Sequence, residues 1–313
     1  MTNNSINRQA VRQLKIGTRQ SRLALWQTEH IVEKMQQAWP GLNCQVQRFV
    51  TQGDKILDKP LPEIGGKGLF TLELENGLHD GSIDLVVHSL KDLPVENPPN
   101  LALGAIVGRA DVRDVLVANE RWSIGTLPTG AKIGTSSLRR QAQLLQHRPD
   151  LHVESIRGNV DTRIRKVHSG DYDGAVLAGA GVTRLGLDEH ISHWLTCDEM
   201  LPAPGQGALA IQCRADDEET LHLLAAIDQA DVRAAVQAER TFLHALEGGC
   251  SAPVGAYAFW QGEVLHLTGL VSSVDGQQVI RVEGEGRDPD LLGNQLAGQA
   301  LMAGAKELWI EDS

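Results

Sequence analysis

The sequence predicts two doubly wound α/β domains facing each other across a cleft, followed by a small α+β domain with an antiparallel three-stranded sheet. Three observations predict it. Lys15, Ile16, Gly17 and Thr18 return as Lys132, Ile133, Gly134 and Thr135, each a short apolar strand running into a polar turn and then a helix. A looser echo pairs residues 81–87 with 170–176, both a turn followed by a buried strand. Towards the C-terminus the pattern changes to short alternating strands separated by Gln261, Gly262 and by Asp275, Gly276.

In chain order, the first echo opens a helix over 23–39, apolar at Leu25, Ile31, Val32 and Met35 and closed by Pro40. A strand over 44–50 follows, then a polar loop from Thr51 to Gly68 with lysines and four glycines, which reads as a lid or as a plain connection. A helix over 68–79 leads to the strand ending near Val87. The second domain repeats the alternation with a helix over 138–147, a strand over 151–156 and a helix over 160–168. Residues 201–207 form a Pro/Gly connector, and the strand over 208–213 is expected to return to the first domain. The final part reads as a helix over 236–246, strands over 254–260, 264–272 and 278–283, and a helix over 290–308. The expected division is 1–107 plus 208–227, 108–207 and 228–313.

Composition narrows the function. A chain of 313 residues with 42% hydrophobic and 22% charged residues has the make-up of a soluble globular protein. No apolar run spans a bilayer, and residues 1–13 lack the apolar core of a signal peptide. Cys44, Cys197, Cys213 and Cys250 show no paired spacing, which argues against a zinc site or disulfide framework and for a reducing cytoplasm. The histidines offer no metal-binding spacing, with His190 and His193 expected at the surface of a short helix, and no metal is expected. The net charge is −11, yet residues 185–313 hold six basic and 21 acidic residues, whereas 1–184 hold 23 basic and 19 acidic. The anion-attracting part is therefore the first 184 residues. Nucleic acid is a poor candidate for that anion, because Tyr172 is the only Phe, Tyr or Trp in the arginine-rich stretch 139–184.

Seven arginines fall in that stretch: Arg139, Arg140, Arg148, Arg157, Arg163, Arg165 and Arg184. Guanidinium forks grip carboxylate or phosphate with paired hydrogen bonds, although any one of them also reads as a solvated surface charge. Thr135, Ser136 and Ser137 before Arg139 and Arg140 form an anion cradle at a helix start. Arg19 and Ser21 occupy the equivalent turn of the first echo, and Arg157 a third strand-to-helix turn. His88, Ser89, Leu90, Lys91 and Asp92 follow a buried strand, placing a cation beside a carboxylate suited to general acid–base work, or else a surface ion pair before Pro94. Cys250 lies in a glycine loop, where a thiol invites covalent chemistry.

From about Lys15 to its end the chain resembles the porphobilinogen deaminase, or hydroxymethylbilane synthase, family. The resemblance is carried by residues 87–94, 134–141, 157–163, 204–207 and 247–250. It implies two periplasmic-binding-protein-like domains and a small third one. It further implies a dipyrromethane cofactor joined to Cys250 through a thioether. On this primer four porphobilinogen units are added before hydroxymethylbilane is released. By the same resemblance Asp92 is the catalytic aspartate and also a cofactor contact. Lys91, Ser89, Ser137, Arg139 and Arg140 hold the cofactor, and Arg19, Ser21, Arg157, Arg163, Arg184, Lys67 and Gln206 bind substrate. Porphobilinogen and the growing polypyrrole are the expected partners of a monomer. Arg148 and Arg165 are left as surface charges. The chain departs from the family at Arg22, where proline is usual, at Glu63, where lysine is frequent, and in the loose segment 108–114. The competing class is a non-catalytic cleft protein that binds or senses a small polyanion.

Overall fold

The computed structural model describes residues 13–55, 71–246 and 253–309. Lys67, Glu63 and Cys250 lie outside the described residues. The first sheet has the order β2-β1-β3-β10-β4, formed by β1 (Gln13–Arg19), β2 (Asn43–Phe49), β3 (Leu85–Ser89), β4 (Leu101–Arg109) and β10 (Ala208–Arg214). The second has the order β7-β6-β8-β5-β9, formed by β5 (Asp114–Ala118), β6 (Lys132–Gly134), β7 (His152–Glu154), β8 (Gly174–Ala178) and β9 (Ile191–Trp194). In both, the first three strands run parallel and the fourth is antiparallel to its two neighbours. The repeated Lys-Ile-Gly-Thr segments thus belong to the second strand of each sheet, which explains the echo.

The chain passes between the sheets twice. It leaves β4 for β5 through residues 110–113 and returns from β9 to β10 through 195–207, so each sheet's antiparallel strand adjoins a crossing. The crossings touch where the Ala110 amide donates to the Gly207 carbonyl at 3.2 Å. Gly207 has φ +91, and a Cβ there would lie 2.6 Å from the Ala110 oxygen, so only glycine permits the approach.

Helices cover both faces. Helix α1 (Arg22–Ala38) starts at Ser21, whose hydroxyl accepts from the Ala24 amide, and buries Ala24, Gln27, Thr28, Ile31 and Met35 along one stripe. A short turn, α2 (Gln52–Lys55), and α3 (Leu72–His79) follow, the latter closing Leu74 and Leu78 over Ile83 and Val86. Around the second sheet lie α4 (Leu138–His147), α5 (Val160–His168) and α6 (Gly179–Arg184). Then α7 (Glu218–Ala225) packs on the first sheet. The last unit places α8 (Ala230–Ala245) and α9 (Pro289–Met302) against β11 (Val254–Gln261), β12 (Val264–Ser272) and β13 (Val279–Gly286), around Phe242, Leu265, Leu267 and Leu296.

Three expectations change. Helix α8 begins at Ala230 rather than at 236. Helix α9 ends at Met302 rather than 308, because Gly304 takes φ +94 and ends the helix with a left-handed turn. His190 and His193 do not share a helix: His190 closes a single 3-10 turn, and His193 lies on β9. No helix of the described residues is long and apolar enough to cross a membrane.

Candidate active site

Strand β3 delivers its C-terminal end to the site. Ser89 accepts from the Gln27 side chain of α1 at 2.9 Å, and a 3-10 turn (Leu90–Asp92) follows. Buried Leu90 anchors this turn beneath Gly205, leaving Lys91 half-buried and Asp92 exposed. The Lys91 ammonium donates to Gln206 Oε1 at 3.1 Å. Burial, then the Arg140 charge, pull Lys91 down to about 8, against the opposing pull of Asp92 and Asp114.

The turn between β6 and α4 is tied internally. The Ser137 amide donates to Thr135 Oγ1 at 3.2 Å, and Ser136 Oγ donates to the Ile156 carbonyl at 2.7 Å. Arg139 and Arg140 do not lie open in a cradle. Both are buried and converge on Asp114, which is 0% exposed, with Nη2 atoms 2.8 Å from Oδ2 and Oδ1 respectively. Their Nη1 atoms donate to the carbonyls of Leu201 and Val176. The Nε atoms of both are buried without a hydrogen-bond partner. Burial alone would raise Asp114, but the two guanidinium groups outweigh it and hold its carboxyl far below the usual range.

Arg157 comes from the turn between β7 and α5, and Arg163 from the start of α5 itself. Arg163 Nε donates to the Gly158 carbonyl at 2.8 Å, an arrangement that uses φ +115 at Gly158. Burial first, then Arg140 and Arg157, bring Arg163 down to about 10, while Asp92 opposes them. Asp92 is therefore electrostatically coupled to both Lys91 and Arg163. Burial likewise lowers Arg157. Arg184 reaches the crossing point: its Nη2 donates to the Gly207 carbonyl at 2.7 Å, its guanidinium lies 5.6 Å from the Trp26 ring of α1, and burial lowers it to about 10. Arg19 ends β1 half-buried, and Ser21 caps α1.

The structure thus brings together Lys91, Asp92, Arg139, Arg140, Arg157, Arg163 and Gln206, with Arg184 at the crossing. Arg165 is a surface charge, 3.8 Å from Asp161. Arg148 is not merely one: it donates to Asp150 and to the carbonyls of Ile124 and Leu127, clamping the loop before β6.

Three residues escaped the sequence reading. Asp114 entered only as the end of the loose segment 108–114, and the one clue was a carboxylate heading an apolar run. Glu239, 0% exposed on α8, accepts from Arg109 Nη2 at 2.7 Å, from the Gly205 amide at 2.7 Å and from the Ala258 amide at 2.8 Å, joining the connector to the C-terminal sheet. Arg240 beside it donates to the carbonyls of Leu93, Pro94 and Val95, fixing the segment after Asp92. Their signal was a charged pair inside the apolar stripe of Val236, Ala238 and Phe242. Among the described residues no group of His, Cys, Asp and Glu is arranged to hold a metal.

Comparison with known proteins gives this arrangement a context. Residues 14–222 match the family model described as porphobilinogen deaminase, dipyromethane cofactor binding domain, and residues 233–302 match the model of the porphobilinogen deaminase C-terminal domain. The porphobilinogen deaminase of Brevibacillus brevis is 49% identical over 298 residues, covering 95% of this chain and 96% of that protein. That of Syntrophotalea carbinolica is 50% identical over 94% of both. Among solved structures, the methionine-binding protein MetQ aligns at a TM-score of 0.44 with 15% identity, over 71% of this chain and 92% of that one.

Proposed function

Because this chain belongs to the porphobilinogen deaminase family, we propose that Asp92 is its catalytic carboxylate and Cys250 the thiol that carries its cofactor. The activity is that of a transferase of tetrapyrrole biosynthesis, which deaminates four porphobilinogen molecules, joins them head to tail and releases hydroxymethylbilane. Dipyrromethane, once bound, supplies the primer pyrrole to which the first unit is joined.

The donor set fits that group. Each pyrrole brings an acetate and a propionate, and this site offers Lys91, Arg157, Arg163 and Arg184, all lowered by burial, with repulsion from neighbouring arginines pressing further on Lys91 and Arg163. A polycarboxylate relieves that repulsion, and planar guanidinium groups hold carboxylates with directed bonds. In our reading Lys91, Ser89, Ser137 and Asp92 face the cofactor, Arg139 and Arg140 add positive charge from their buried cluster on Asp114, and Arg19, Ser21, Lys67, Arg157, Arg163 and Arg184 serve the incoming substrate, with Gln206 acting through its contact with Lys91. Asp92 then holds or moves the proton at the pyrrole nitrogen as ammonia leaves the aminomethyl arm, and its charge stabilises the cationic ring.

The observation that carries this assignment is the exposed Asp92 on its short turn, coupled to both Lys91 and Arg163. Replacement Asp92→Asn is the test. Turnover is expected to fall by about 100-fold or more with the fold retained, and turnover close to that of the parent removes Asp92 from the chemistry. We assign the chain to three units, 1–107 plus 208–227, 108–207 and 228–313, working as a cytoplasmic monomer without nucleic acid. Sheet membership supports the division, and the lack of paired cysteine spacing supports the compartment.

A further inference from the structure

Gln206 is 0% exposed. Its Nε2 lies 2.7 Å from the Val112 carbonyl and 2.8 Å from Asp114 Oδ1, two groups that only accept. The amide nitrogen must therefore face them, which turns Oε1 towards the Lys91 ammonium at 3.1 Å. The side-chain polar atoms of Gln206 are thus all engaged within the protein. The result is a continuous relay of carboxylate, amide and ammonium from the buried end of β5 to the turn that carries Asp92.

We propose that Asp114 and Gln206 are positioning residues that act through this relay, holding Lys91 in place as a cation and thereby setting the alkaline limit of turnover. The inference deepens the reading above and rests on its placement of Lys91 against the carboxylates of the ligand.

The charge balance around Lys91 supports it. The charged groups that act on Lys91 are Arg140 and Arg139, which oppose its protonation, and Asp92 and Asp114, which favour it. Asp114 is the buried one of these two carboxylates, and it already balances two guanidinium groups. Its removal leaves Lys91 among uncompensated cations, with burial pulling in the same direction. Lys91 is about 8 in the free site, and a carboxylate partner raises it, so that partner is held at lower pH and released as pH rises beyond 8. Gln206 orients the ammonium and transmits the polarisation of Asp114. Loss of Gln206 removes this link while leaving both arginine–Asp114 pairs intact.

The experiment measures kcat/KM for porphobilinogen consumption from pH 6.5 to 10, with holoenzymes whose cofactor load is verified by mass and whose fold is verified by circular dichroism. The parent is expected to lose activity on an alkaline limb lying above pH 8, because bound carboxylates raise Lys91 from its value in the free site. Asp114→Asn is expected to move that alkaline limb about one unit to lower pH, and Gln206→Met to move it the same way. Lys91→Arg is expected to abolish the limb, because arginine keeps its charge throughout the range. If Asp114→Asn and Gln206→Met lower activity equally at every pH with the limb unmoved, the relay is refuted and both residues are merely structural. If Lys91→Arg retains the parental limb, the placement of Lys91 itself is wrong. Should Asp114→Asn fail to fold, Gln206→Met decides the question alone.

Discussion

Glu239→Gln tests how the C-terminal unit is bound to the site. The carboxylate is fully buried, and its two oxygens receive three donors: Arg109 and the Ala258 amide at Oε1, and the Gly205 amide at Oε2. An amide has one accepting oxygen. If that oxygen keeps Arg109 and Ala258, the new NH2 group confronts the Gly205 N–H, donor against donor. The loss combines a hydrogen bond to a charged acceptor, worth about 1.5–3 kcal/mol, with a largely buried guanidinium that loses its counter-charge. Breaking a buried ion pair from one side costs about 3–5 kcal/mol in total. At roughly 2 °C per kcal/mol for a chain of this size, the unfolding temperature falls by about 6–10 °C. Calorimetry at pH 7.5 measures it. Because Gly205 precedes Gln206, the same variant is expected to lower kcat/KM. A melting temperature within about 1 °C of the parent's would refute the reasoning.

Two further outcomes are expected. Gly207→Ala sets a Cβ against the Ala110 carbonyl at a backbone angle of φ +91. It should cost about 1–3 kcal/mol of stability and weaken substrate binding through Arg184, which donates to the Gly207 carbonyl; unchanged stability and KM would show that the crossing tolerates displacement. His88 is held down to about 4, by burial first and then by Arg19, so it stays neutral in the fold while the unfolded chain takes up a proton near 6.5. The unfolded state binds more protons between those values, so this residue's contribution is complete above pH 6.5 and is lost as pH falls towards 4, about 2 kcal/mol of it between pH 7.5 and 5. Urea unfolding of the parent and of His88→Gln measures it, and identical pH dependence in the two would remove His88 as the cause.

What was legible in the sequence depended on how local the cause was. The helices at Leu138–His147 and Val160–His168 were readable to the residue, because each begins at a polar turn and ends with its apolar periodicity. The returning strand β10 was readable because a Pro/Gly connector precedes a continuous apolar run. Strands β4, β5 and β9 were not assigned: β4 is interrupted by Gly104 and Gly108, and all three owe their form to partners far along the chain. The site shows the same division. Lys91, Asp92 and the arginines stand out as residue types beside turns, yet Asp114 turns Arg139 and Arg140 from an open cradle into a buried triad. That depends on a contact 25 residues away, as the fixing of Gly205 by Glu239 does across 34. Long-range burial of a charge leaves little local trace.

On the reading above, this chain builds polypyrroles on a cofactor it carries covalently at Cys250. Intact mass spectrometry of the protein, produced in cells that make porphobilinogen, tests it most directly. An adduct with the mass of two linked pyrroles is expected in the parent and in Asp114→Asn and is expected to be absent from Cys250→Ser, which should also be inactive. An unmodified parent chain that turns over porphobilinogen, or an active Cys250→Ser, would contradict it.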